Sequence, residues 1–207
     1  MKLLYVNPEL QISESVAVVG SSGKLVETEY GEEIDAFEDV MRFNRAPTEG
    51  FERWVGSKTT VRCVNNHVFN NNKLREDEWS NQPQYFIRDL RNTNILYIAE
   101  DLVPFWNKDK NTHSSNQVFL YDYRTVELYK KYFNLLKNPT VGVCFILTCI
   151  FSGVRPVCYG FDSGKEDAEY VRTHYYGSRP QPSGYHGVNE EKNLLIELDE
   201  EGLIILK

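Results

Sequence analysis

Two histidines lie in polar, glycine- and proline-rich segments towards the carboxyl terminus: His174 in Thr173-His-Tyr-Tyr176 and His186 in Tyr185-His-Gly187. Near pH 7 a neutral imidazole can take a proton from a hydroxyl, or donate a hydrogen bond to an anionic leaving group. Each can equally be an ordinary loop histidine, which is the reading for His67 and His113. A third feature is the turn Gly20-Ser-Ser-Gly23, which follows the apolar run Val16-Ala-Val-Val19. Glycines let the backbone approach a phosphate or sugar, and open α/β sheets bind ligands outside the carboxyl ends of their strands. The turn is not GxGxxG, because Ser22 takes the second glycine's place, and not a P-loop, because Leu25 follows Gly23-Lys24. It reads either as a ligand loop or as a tight turn. The sequence contains no HExxH, closely spaced Cys/His set, EF-hand loop or Asp-x-Asp, so no metal is expected.

These groups need a scaffold, and the apolar patterning supplies one. Val16–Val19, Val40–Phe43, Thr59–Val64, Ile95–Ala99, Pro156–Phe161 and Leu203–Leu206 read as strands. Arg124–Lys137 has helical spacing, with Lys130, Lys131 and Lys137 near its end. Asn138-Pro-Thr140 starts a second helix, Val141–Phe151, which is apolar on nearly every side, must be buried, and is stopped by Gly153. A third is expected to be capped by Asn189, with Glu190 and Glu191 in its first turn and Leu194, Leu195 and Leu198 on its apolar face. That places His186 in the loop just before it. Residues 65–84, which include Trp79, and residues 103–116 read as polar loops; in the second, Trp106 and His113 are either anchors or without a role.

The 207 residues suit one α/β domain, and 41% hydrophobic residues are enough for a core. A net charge of -7 is the wrong sign for gripping a nucleic-acid backbone. Val141–Phe151, the longest apolar stretch, is far short of the roughly 20 residues a membrane helix needs. The start, Met1-Lys-Leu-Leu-Tyr-Val-Asn-Pro8, is too short and polar for a signal peptide, so the expected location is cytoplasmic. Cys63, Cys144, Cys149 and Cys158 form no CxxC pair and read as buried thiols.

Four segments, in order, resemble the sialylmotifs of glycosyltransferase family 29, the animal-type sialyltransferases. Val16–Leu25, continuing through Val40–Phe51 and Val55–Thr60, resembles the long motif. Asn138–Gly142 through Val157–Phe161 resembles the short motif. His174-Tyr-Tyr176 resembles the third, and His186 with Glu191 the very short His-x4-Glu motif. The similar segments are residues 16–65, 138–161, 173–177 and 186–191 of one domain spanning residues 1–207.

The resemblance implies a Rossmann-like α/β domain, a GT-A-like variant, with a mostly parallel sheet flanked by helices. It implies a CMP-sugar donor and inverting, metal-independent transfer of sialic acid to a glycan or glycolipid hydroxyl. His186 would be the general base, and His174 would hydrogen-bond or protonate the departing phosphate. Ser21, Ser22, Gly23 and Asn44 would hold ribose and phosphate. Thr140, Val141 and Gly142 would receive the nucleotide at the start of the buried helix, with Phe161 beside it. Transfer of another CMP-activated acid sugar such as Kdo, or nucleotide and glycan binding without turnover, are the alternatives.

Several positions depart from the family pattern. Ser21 stands in place of the usual Asn, Gly177 in place of an acidic residue, and Asp162 in place of an aromatic. Val16 replaces the cysteine of secretory-pathway members, and Ser152 and Gly153 stand where its partner would be. A compact bacterial or viral member folding in a reducing cytosol is therefore expected.

Overall fold

Val16-Ala-Val-Val19 has no polar side, so a strand made of it must be covered on both faces. It is β1 (Val16–Val19), the inner strand of a parallel sheet, and all its side chains are at most 1% exposed. The computed structural model describes residues 13–65, 84–88, 117–121, 123–161, 173–178 and 187–207. Among them, β2 (Asp39–Phe43), β3 (Val61–Asn65), β4 (Gln84–Arg88) and β5 (Gln117–Tyr121) follow β1 outward on one side. On its other side lie β6 (Val157–Tyr159) and β9 (Ile205–Leu206). Every pairing in this seven-stranded sheet is parallel. A separate antiparallel hairpin joins β7 (Thr173–His174) to β8 (Gly177–Ser178).

The two faces are covered differently. On one, Val16, Val18, Met41, Phe43, Val61, Cys63 and Cys158 meet three helices: α3 (Tyr123–Tyr132), α4 (Val141–Phe151) and α5 (Val188–Glu200). The apolar circumference of α4 is explained by this position, with Val141 through Cys149 all buried. On the other face, Ala17, Val19, Val40 and Tyr159 meet a 3-10 helix (Gly23–Glu27), α1 (Gly31–Asp35) and α2 (Glu52–Val55). Among the described residues no helix is long and apolar enough to cross a membrane.

Arg42 and Arg62 belong to this second face and are not the solvent-facing polar positions that an alternating strand suggests. They are register partners on β2 and β3, and both are buried. Arg42 Nη2 donates to the carbonyls of Val55 (2.6 Å), Gly56 (3.2 Å) and Lys58 (3.0 Å), and Nε to Thr59 Oγ1 (3.0 Å). Burial pushes its guanidinium down to about 10, still charged at neutral pH.

Other expectations are corrected. β4 opens at Gln84, where a loop was expected to end, and β5 was not anticipated. The expected Arg124–Lys137 helix stops at Tyr132, since Asn134 turns left-handed at φ 51° and leaves Leu136 80% exposed. The last helix starts before Asn189: the Glu191 amide donates to Gly187 O at 2.9 Å, so Gly187 is the N-cap. The expected strand Ile95–Ala99, and Trp79, Trp106, His67 and His113, lie outside the described residues. The four cysteines are free and buried.

Candidate active site

In a parallel sheet of this order, β1 is where the chain's direction of growth reverses, with β2 on one side and β6 on the other. Loops leaving neighbouring strands at such a point diverge and leave a crevice at the carboxyl ends. Gly20 leaves β1 so close to β6 that a β-carbon there would stand 2.3 Å from Gly160 O. The two exits are bonded, Gly20 N to Tyr159 O at 2.7 Å and Ser22 N to Gly160 O at 3.1 Å. Beside them β2 ends at Phe43, whose ring packs edge-on against Phe161 at 6.1 Å. Next to Phe161 comes the start of α4: a β-carbon on Gly142 would stand 2.7 Å from Phe161 Cε1 and 3.7 Å from Phe43 Cε2.

Ser21, Ser22, Gly23, Asn44, Thr140, Val141, Gly142 and Phe161 thus lie on three strand exits and one helix start, which meet at the carboxyl ends of β1, β2 and β6. Their capacities differ. Ser22 is buried and its Oγ accepts from Lys24 N at 3.2 Å, so it caps the 3-10 helix that Gly23 begins. Ser21 offers its carbonyl to Tyr175 N at 3.1 Å. Asn44 is left-handed at φ 48°, a conformation Asn tolerates better than most residues, and its amide donates to Cys63 O at 2.8 Å. The Val141 side chain is buried, so what this residue and Gly142 present are first-turn amides, which a helix leaves without an intrahelical acceptor.

His174 joins these exits through the β7–β8 hairpin. It forms an antiparallel bridge with Ser22, and its half-buried ring stacks on Tyr176 at 4.8 Å. Gly177, at φ 143°, occupies backbone space that side-chain-bearing residues rarely enter. An acidic side chain would be strained in this conformation. His186 and Asp162 lie outside the described residues.

Three residues were not anticipated in the roles they hold. Glu191, expected to serve its own helix's first turn, is 8% exposed and serves α4 instead: Oε1 accepts from Thr140 N at 2.7 Å and Oε2 from Thr140 Oγ1 at 2.8 Å. Arg62 and Tyr175, both buried, brace the loop after β2. For the arginine a sequence signal existed, since a cation inside Val61-Arg-Cys-Val64 of a twice-covered sheet has to be buried.

The model of glycosyltransferase family 29 (sialyltransferase) matches residues 7–203. The chain belongs to this family. Among relatives, beta-galactoside alpha-2,6-sialyltransferase 2 of Takifugu rubripes is 28% identical over 218 residues, covering 94% of this chain and 40% of its own length. Its Xenopus tropicalis counterpart is 40% identical over 206 residues, covering 89% of this chain and 39% of its own. This family member therefore spans about two fifths of the length of these curated relatives. A mammalian sialyltransferase solved in complex with Gal-beta-1-3GalNAc-ortho-nitrophenol matches with a TM-score of 0.66 and 24% identity, over 93% of this chain and 68% of that one. The likeness shows the family's Rossmann-like α/β fold.

Proposed function

We propose that this family 29 chain transfers sialic acid from CMP-sialic acid to a hydroxyl of a galactoside glycan, with inversion and without a metal. The observation that carries the reading is a convergence, in which the exits of β1, β2 and β6 meet the start of α4 and His174 is bridged to Ser22. A galactoside acceptor is supported by the names of the relatives and by the disaccharide in the matched complex.

In this reading His186 takes the proton of the acceptor hydroxyl as its oxygen bonds to the anomeric carbon. The bond from that carbon to the phosphate oxygen breaks, and CMP leaves with the electron pair while His174 hydrogen-bonds its phosphate. The carboxylate of Glu191 at the start of α4 refines the donor's placement. A phosphate beside it would be repelled, so the first-turn amides of Val141 and Gly142 suit the neutral nucleoside, and the phosphate belongs towards Ser21, Asn44 and His174. Absence of Asp-x-Asp from the sequence supports a metal-independent step. For compartment, we propose a cytoplasmic enzyme of the bacterial or viral type. The free, buried cysteines and Val16 in place of the long-motif cysteine favour a reducing environment.

The test begins with thermal shifts by CMP, CDP, UMP and NAD without added metal, where CMP should stabilise most. CMP-sialic acid and CMP-Kdo are then compared as donors to a β-galactoside. His186→Ala should lose transfer yet still bind CMP, and full transfer by that variant would refute the assignment of the base.

A further inference from the structure

The loop that leaves β2 is held from two sides by side chains distant in sequence. From β3, Arg62 Nη1 donates to Ala46 O at 2.8 Å and to Asn44 O at 3.3 Å. From the β7–β8 hairpin, the Tyr175 hydroxyl donates to Pro47 O, while its amide donates to Ser21 O at 3.1 Å. Three carbonyls within residues 44–47 are therefore engaged by two buried side chains. One of these, Tyr175, directly follows His174 and rests edge-on against Phe51 at 5.1 Å.

Packing alone gives little reason for this arrangement. A guanidinium 8% exposed loses more hydration than a leucine of similar size would, so its gain lies in where it directs its donors. Asn44 is left-handed, and such a residue keeps its conformation only where its surroundings enforce it. Burial pushes the Tyr175 phenol up to about 12 against the pull of Arg42 and Arg62, so it remains a donor throughout the neutral range.

We propose that Arg62 and Tyr175 are positioning residues, a two-sided clamp that fixes the Asn44–Pro47 loop at the donor site and ties it to His174. The proposal rests on the reading of this crevice as a CMP-sugar site. Neither residue needs to touch the donor: Arg62 acts through the backbone of Asn44, and Tyr175 sets the spacing between that loop and the hairpin.

The test measures CMP affinity by calorimetry, and stability by urea unfolding, for the wild type, Arg62→Lys, Tyr175→Phe, Asn44→Gly and the double variant Asn44→Gly/Tyr175→Phe. Asn44→Gly removes the side chain at a conformation glycine accepts. Loss of a clamp bond should weaken CMP about tenfold in folded protein. In the Asn44→Gly background, Tyr175→Phe should cause a smaller loss than it does alone, because one of the groups it positions is gone. Reduced stability with unchanged CMP affinity, or additive losses in the double variant, would overturn the clamp. If Arg62→Lys does not fold, Tyr175→Phe decides, since it removes one oxygen and keeps the ring on Phe51. A wild type that fails to bind CMP removes the donor-site reading and the clamp together. Binding by the wild type with no change in Tyr175→Phe removes the clamp alone.

Discussion

Glu191 binds Thr140 twice, accepting the backbone amide on one carboxylate oxygen at 2.7 Å and the side-chain hydroxyl on the other at 2.8 Å. Thr140 is the N-cap of α4, and Glu191 sits in the first turn of α5. One contact therefore ties together the first turns of two core helices. It also joins the short motif to the very short one.

Removing that carboxylate should cost stability and donor binding together. Glu191→Ala leaves a half-buried amide and hydroxyl without their acceptor, which should lower unfolding free energy by about 1.5–3 kcal/mol. Glu191→Gln can still accept from the amide and donate to the hydroxyl, and should lose about 1 kcal/mol. Urea unfolding of both variants checks the order. Equal losses would mean that the charge and the second oxygen are irrelevant.

How much of this was legible in sequence follows from what each segment has to do. Val16–Val19 and Val141–Phe151 announce themselves because burial on every side demands an unbroken apolar run. β4 and β5 do not, since Gln84–Arg88 and Gln117–Tyr121 begin on polar residues and lie at the far side of the sheet. Leu135 and Leu136 extend the helical spacing of α3 past its end, but only Leu135 is buried, and left-handed Asn134 has already broken the helix. The exits of β1, β2 and β6 were legible as a candidate site because a topological rule locates ligands there. The pairing of Glu191 with Thr140, and of Arg62 with the Asn44 loop, was not, because no local pattern encodes a bond across the fold.

Asp35 should make part of the stability depend on acid pH. Burial pushes its carboxyl up, but the amides of Ser57 and Lys58 and the Ser57 hydroxyl, with help from the Arg42 charge, hold it below the ordinary 3.8. A carboxyl depressed on folding contributes stability that is fully present above its unfolded value and is lost as pH falls through the folded one. The wild type should therefore exceed Asp35→Asn in urea midpoint at neutral pH, with the gap closing below about pH 4. A gap that stays constant from neutral to acid pH would refute the linkage.

The thiols should be inert in the native protein. Burial pushes Cys149 up to about 12 and holds Cys63 and Cys158 well above the ordinary thiol range. With no thiolate at those three at pH 8, and all four cysteines buried, an exposed-thiol reagent should label all four in urea and essentially none before it. Rapid labelling of one thiol under native conditions would show a local opening near the sheet.

Gly142→Ala sets two effects against each other at the centre of the crevice. Replacing glycine by alanine in a helix gains up to about 1 kcal/mol, somewhat less in the first turn. Against this, the new methyl would stand 2.7 Å from Phe161 Cε1, so the ring must move. Phe161 is only half-buried and follows the last residues of β6, so it can swing outward at small cost. Global stability should then change by less than about 1 kcal/mol. The ring's new position, and the methyl over the α4 amides, should nevertheless close part of the nucleoside's space and weaken CMP about tenfold or more. Calorimetry with CMP, beside the melting temperature of the ligand-free variant, separates the two effects. Unchanged affinity with unchanged stability would mean that the nucleotide does not lie against Gly142 and Phe161.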